Sequence, residues 1–169
     1  MRKYYRLITN RPVERFLRRF IGTPHPLELV IISPFIGPMS GINPSLKQVV
    51  NKIDRDKIKT LIITNPPSDE VGSQKEAINI LRRSRRTEIR LLPSLHAKMY
   101  ICRTRVGTTR DYLLFGSGNL TENSIGSMIE IGMMITNVGR GREPFSVLDS
   151  WAKDLRVHPG STRIKRIDG

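Results

Sequence analysis

In the stretch LHAKMYICRTRVGTTRDYLLFGSGNLTENSI, residues 95–125, a histidine and a lysine stand two positions apart, and a Gly-Ser-Gly-Asn turn ends the apolar run that follows. Residues i and i+2 of a strand share a face, so His96 and Lys98 are expected side by side, with Ala97 and Met99 turned away. An imidazole held beside an ammonium suits a phosphate ester: the ammonium binds the anionic oxygens while the imidazole attacks phosphorus or moves a proton. Neither group needs a metal or another cofactor for this. Gly116 and Gly118 permit a ligand to approach the backbone closely, and Ser117 and Asn119 offer a hydroxyl and an amide to clamp phosphate oxygens. Glu130, in SMIEIGMM, reads as a carboxylate inside an apolar strand, costly there without a partner. Its expected use is to accept a proton from an imidazole and fix the orientation of the ring.

These groups need a scaffold, and the flanking patterns describe one. Arg11 to Ile21 repeats Val13, Phe16, Leu17 and Phe20 at helical spacing behind Pro12, which predicts an amphipathic helix with Arg15, Arg18 and Arg19 outside. LELVIISPFIG and IKTLIITNPP read as strands buried on both faces, each stopped by proline. Between them, Asn43 to Ile53 reads as a helix with an asparagine cap. Ser73 to Arg86 carries a capping-box pattern and predicts the next helix. EIRLLP, HAKMYICRT, DYLLFGS and MIEIGMMIT follow as strands, and PFSVLDSWAKDLRV as a last helix. Alternation of helix and strand followed by hairpin-like connections predicts an α/β fold: a layered α/β/α sandwich around a mixed central sheet.

The composition narrows the partner. The chain has 169 residues and a formal net charge of +14, from 29 Lys and Arg against 15 Asp and Glu, which implies a polyanion. Nucleic acid is the first candidate, and an anionic membrane surface competes for the same charges. No apolar stretch approaches the ~20 residues of a membrane-spanning helix, and no signal sequence is recognisable, so a cytoplasmic protein is expected. Cys102 is the only cysteine, which excludes an intrachain disulfide and a multi-cysteine zinc site and leaves an inert core thiol as the expectation.

His-x-Lys as HAK, then Gly-Ser-x-Asn as GSGN running into LT, then a glutamate about a dozen residues on, resembles the signature of the phospholipase D superfamily, nearest its single-motif nucleases and metal-independent restriction endonucleases. The resemblance implies a phospholipase D-like fold and a two-step reaction. One histidine attacks phosphorus to form a phosphohistidine, a second protonates the leaving oxygen, and water releases the product. Only one His-x-Lys occurs, since His25 and His158 lie in other contexts, so the resemblance further implies a homodimer with one composite site across a two-fold axis. His96 would then be nucleophile in one subunit and general acid in the other. Lys98 and Asn119 would bind the scissile phosphate with Ser117 assisting, and Glu130 would orient His96. The sequence departs from the pattern where many members carry an aspartate five residues after the lysine: Arg103 stands there, and Asp111 lies nearby but out of register.

The expected activity is a metal-independent endonuclease acting on DNA, carried by a single catalytic domain over residues 1–157 with a basic tail over 158–169. RNA as substrate, a phospholipase or transphosphatidylase, and a non-catalytic nucleic-acid-binding subunit are the alternatives. A separate specificity subunit is possible in the first case, because the chain has no room for a DNA-reading domain. Arg82, Arg83, Arg85 and Arg86, grouped with Arg103, Arg105, Arg110, Arg140 and Arg142 near the site elements, predict a groove that tracks a phosphate backbone. Aromatic residues make up 6% of the chain, so base-stacking platforms are not prominent.

Overall fold

The computed structural model describes residues 4–68, 72–105 and 110–164. Its elements are β1 (Tyr5–Ile8), α1 (Pro12–Gly22), β2 (Pro26–Ile32), α2 (Leu46–Arg55), β3 (Lys59–Thr64), α3 (Gly72–Arg82), β4 (Thr87–Leu91), β5 (Met99–Thr104), β6 (Tyr112–Gly116), α4 (Glu122–Gly126), β7 (Gly132–Thr136), α5 (Arg142–Val157) and β8 (Thr162–Arg163). The strands form one eight-stranded mixed sheet in the order β1-β7-β6-β5-β2-β3-β4-β8. β2, β3 and β4 run parallel through the α2 and α3 crossovers, and the remaining pairings are antiparallel. The sheet is thus α/β with a mixed centre, as the sequence pattern predicts.

Alternation along the strands sorts their side chains into two cores. Leu29, Ile31, Ile62, Tyr100, Cys102, Tyr112 and Leu114 face the layer of α1, α2 and α3, whereas Val30, Ile32, Ile63, Ile101 and Leu113 face α5. β2 and β3 are buried on both sides, which explains their unbroken apolar runs. Cys102 is fully buried, and burial, partly offset by a hydrogen bond with Tyr112, pushes its thiol up to about 11. It therefore remains protonated near neutral pH.

Several boundaries differ from the sequence reading. α2 begins at Leu46, and its cap is Ser45 rather than Asn43: the Ser45 hydroxyl accepts from Gln48 N (3.4 Å) while Gln48 Oε1 accepts from Ser45 N (2.7 Å). The Ser-x-x-Gln pattern outcompetes the asparagine because both of its halves close. α3 ends at Arg82, so Arg83, Arg85 and Arg86 lie beyond it in the turn that leads to β4. β5 starts at Met99 because its neighbour β2 ends at Ile32, the partner of Met99, leaving no further ladder on that side for His96 and Lys98. β7 starts at Gly132, where a Cβ would lie 2.7 Å from Leu114 Cδ1 and 2.9 Å from Pro12 Cβ, so Glu130 precedes the strand. The edge strands β1 and β8 and the short helix α4 carry no clear apolar period and were not expected. Of the basic tail, Thr162 and Arg163 pair with β4, and residues 165–169 lie outside the described residues.

The cap assignment has a direct test. Ser45→Ala should cost about 1 kcal/mol of unfolding free energy in urea titrations, whereas Asn43→Ala should leave the α2 boundary, and stability, nearly unchanged.

Candidate active site

The register carries the candidate residues to one end of the sheet. Ile32 pairs with Met99, Met99 with Phe115 and Phe115 with Met133, so the segment before β5, the turn after β6 and the segment before β7 emerge side by side. Gly116 N donates to Lys98 O (3.2 Å) and Ser117 N donates to Ile131 O (3.0 Å), which stitches these three exits together. His96, Lys98, Gly116, Ser117, Gly118, Asn119 and Glu130 are thus brought to one locus by three adjacent strands.

Gly116 is required where it stands, since a Cβ there would sit 2.2 Å from Ile131 O. At Gly118 the obstacle is Val13 of α1, whose Cγ2 would lie 2.8 Å from a Cβ, with the Glu130 carboxyl carbon at 3.7 Å. The Ser117 hydroxyl donates to Glu130 Oε2 and accepts from Ile131 N (3.0 Å). Glu130 is buried, so its expected cost is met here by the serine hydroxyl. The hydrogen bond at His96 is made by its carbonyl, which accepts from Lys98 Nζ (2.8 Å) and folds the lysine back over the histidine backbone. His96 is exposed and Lys98 half-buried. Asn119 N donates to Ser124 Oγ (3.2 Å), while Asn119 Oδ1 is buried with no hydrogen-bond partner among the described residues. A buried amide oxygen left unpaired is unusual, and at this position it leaves a polar contact open to a ligand.

Two supports were missed in the sequence. Tyr100 is fully buried, packs on Phe16 with ring centroids 5.5 Å apart, and donates its hydroxyl to Gly118 O (2.9 Å). Burial raises its pKa well above the ordinary range, a hydrogen bond with Ser33 opposes this, and the nearby Glu130 charge adds to the rise, so the phenol stays a neutral donor. Its signal was available, because Tyr100 is next in the period-two series after His96 and Lys98. Ser33 accepts from Leu120 N (3.0 Å) and holds the far side of the turn; nothing in the pattern around Pro34 marks it.

The arginines expected near these elements are distributed otherwise. Arg103 lies inside β5 and pairs with both Glu28 and Asp149, which ties β2, β5 and α5 together. Arg105 and Arg110 flank the other end of the β5–β6 hairpin, Arg85 and Arg86 precede β4, and Arg140 and Arg142 follow β7. All of these approach the sheet end opposite His96, roughly 20 Å away along a six-residue strand. Arg82 closes α3 and Arg83 follows it. Asp111 is also at that end, where its carboxylate accepts from Thr104 N (2.9 Å) and Asn137 Nδ2 (3.3 Å). Among the described residues, no three His, Cys, Asp or Glu side chains come together as a candidate metal site.

No family model and no curated protein matches the chain. Solved structures do. A phospholipase D family member, Nuc from Salmonella typhimurium, aligns with a TM-score of 0.66 at 15% identity, over 95% of this chain and 99% of that one. NucT from Helicobacter pylori aligns with a TM-score of 0.64 at 16% identity, over 95% and 98%. TrmBL2, an archaeal chromatin protein whose structure shows a novel mode of DNA binding, aligns with a TM-score of 0.60 at 12% identity, over 97% of this chain and 56% of that one. The fold of the chain is therefore phospholipase D-like, as the His-x-Lys and Gly-Ser-x-Asn pattern implied.

The Tyr100 bond to the turn can be tested alone. Tyr100→Phe leaves Gly118 O without its buried donor, and we expect a loss of about 1–3 kcal/mol in chemical denaturation.

Proposed function

We propose that the chain is a phosphodiesterase of the phospholipase D superfamily that hydrolyses nucleic acid, DNA first, without a metal and through a phosphohistidine. The observation that carries this reading is the convergence of His96, Lys98, Asn119 and the Ser117–Glu130 pair at the ends of three neighbouring strands. Proteins of the same fold include a phospholipase D family member of almost the same length, and the charge of +14 favours a polyanionic substrate.

In the reaction, a ring nitrogen of His96 forms a bond to phosphorus as the bond from phosphorus to the leaving oxygen breaks. The partner subunit's His96 donates the proton that the leaving oxygen takes up. Water then attacks phosphorus and gives its proton to that second imidazole, the N–P bond breaks, and both rings regain their starting protonation. Lys98 and Asn119 bind the non-bridging oxygens, where charge builds in the transition state. Glu130 accepts from the Ser117 hydroxyl and so fixes the turn that presents Asn119; orienting His96 is the role the resemblance assigns to it.

A single histidine motif needs a second copy, and the surface beside the site fits one. Phe115, Val147 and Trp151 line a cavity of about 480 Å³ together with Lys98 and Gly116, and all three large side chains are exposed. Ile131 and the fully exposed Ile129 extend the apolar surface along the same end of the sheet. An apolar patch of this kind is what a protein interface requires, and as the face of a two-fold contact it would set two copies of the segment carrying Lys98 side by side. Among the described residues, no helix is long and apolar enough to cross a membrane.

The deciding experiment is incubation of plasmid, linear duplex and single-stranded DNA and RNA in excess EDTA, with wild type beside His96→Ala. Cleavage by the wild type and its loss in the mutant, which should still bind DNA, is the expected result; retained cleavage in a highly purified mutant rejects the assignment. For assembly, Trp151→Glu should convert a dimer seen by light scattering to monomer and reduce cleavage at least tenfold, a barrier rise of about 1.4 kcal/mol. A wild-type chain that is active as a monomer would contradict the composite site.

A further inference from the structure

The solvent face of α1 carries arginines that the reaction does not use. Arg11, Arg15 and Arg18 follow one another at i, i+4 and i+7, a single helical stripe, opposite the buried Val13, Phe16, Leu17 and Phe20. Glu14, itself buried, accepts from Arg11 Nη1 (3.4 Å) and Arg18 Nε (2.7 Å) and so fixes both guanidinium groups. Arg19 lies over the Tyr112 ring, 3.8 Å from its centroid.

Between this helix and the edge strand β1 lies a groove of about 740 Å³ lined by Arg6, Arg15, Arg18, Arg19 and Arg110, and among the described residues no carboxylate lines it. Burial lowers the pKa of Arg19, against opposing contributions from Tyr112 and Cys102, and the nearby Arg6 charge adds a smaller lowering. The other large basic cavity differs in kind. Its lining sets seven Lys and Arg side chains, Lys59, Arg85 and Arg86 among them, against two carboxylates, Glu28 and Glu88, which pair with Arg103 and Arg156. That cavity has carboxylates built into its wall, whereas the described lining of the α1–β1 groove holds none, and Glu14 reaches only Arg18 of its arginines, from within α1.

The direction of α1 links the groove to the site. Its first turn abuts the catalytic end, with Val13 against Gly118 and Pro12 against Gly132, and its last turn lies near Tyr112 at the other end of the sheet. Eleven helical residues span roughly 16 Å, the length of about five nucleotides of one strand at 3.4 Å each.

We propose that this groove is the track for the phosphodiester backbone of a nucleic acid, along which five arginines hold the strand flanking the phosphate at His96. The proposal rests on the reading of that site as a nucleic-acid phosphodiesterase, and it assigns substrate binding to α1 and β1 rather than to the run Arg82–Arg86.

The test is binding of fluorescently labelled 20-nucleotide DNA, single-stranded and duplex, by anisotropy across a salt series, using the full-length His96→Ala chain so that turnover does not intervene. Arg6→Gln, Arg15→Gln and Arg110→Gln together should weaken binding about tenfold or more near 100 mM salt and make the log–log salt slope shallower by roughly two to three. Lys59→Gln, Arg85→Gln and Arg86→Gln together remove the same charge from the other cavity and should have a much smaller effect. The corresponding Arg→Lys triple at the groove should restore most of the affinity. Should the Gln triple fail to fold, Arg15→Gln alone, on an exposed helix face, should lower the slope by about one. Equal losses from the two Gln triples, no loss at the groove, or binding of phosphatidylglycerol vesicles but not DNA would overturn the proposal. Hydrolysis by the wild type is followed on the same DNA: binding along the groove without hydrolysis supports the track and rejects the phosphodiesterase reading, whereas hydrolysis with unchanged binding by the Gln triple rejects the track alone.

Discussion

The register of β5 between β2 and β6 is the constraint from which the rest follows. Ile32, Met99 and Phe115 form one row across three strands, and that row decides which residues leave the sheet together. A slip of one residue in β5 would turn Tyr100 from the α1 core to the α5 core and lift its hydroxyl off Gly118. The register is held from both faces, by Tyr100 and Cys102 on one and by Met99 and Ile101 on the other. Arg103 locks its far end to Glu28 and Asp149. In the position where many phospholipase D-like sequences carry an aspartate, this chain therefore uses a cation to join three elements.

How much of this was readable depended on what each residue type can signal. The buried parallel strands were legible because burial on both faces leaves a continuous apolar run, as in LVII of β2 and LII of β3. α1 was legible because its arginines and aromatics alternate at helical spacing. That the candidate residues emerge at one end of the sheet was legible because His96 and Lys98 stand at the head of one apolar strand and Gly116 and Gly118 punctuate the next; their shared face was not, since β5 begins only at Met99. The strand boundaries were not, since β5 and β7 begin where a neighbour ends or where only glycine fits, and both facts belong to the tertiary structure. Edge strand β1 was hidden for a related reason: three of its four residues are exposed, so no apolar pattern marks it.

Charge was the least legible property. A run such as RRSRR draws attention by density, yet the consequence of a cation depends on the anions around it. Arg103 stands two residues from Arg105 in the sequence and is nonetheless paired with Glu28 and Asp149, while Arg6 of β1 and Arg110 after β5 are far apart in the chain and share a groove whose described lining holds no carboxylate. Such pairing is set by which strands become neighbours, and a linear sequence does not display it.

The position of Trp151 has a practical consequence. It is the only tryptophan in the chain, it is partly exposed, and it lines the same cavity as Lys98. Intrinsic emission excited at the indole band therefore comes from one place on the molecule, a few residues' width from the candidate nucleophile. Anything that covers that face excludes water from the ring and shifts its spectrum to the blue, so the native chain carries its own optical probe of that surface.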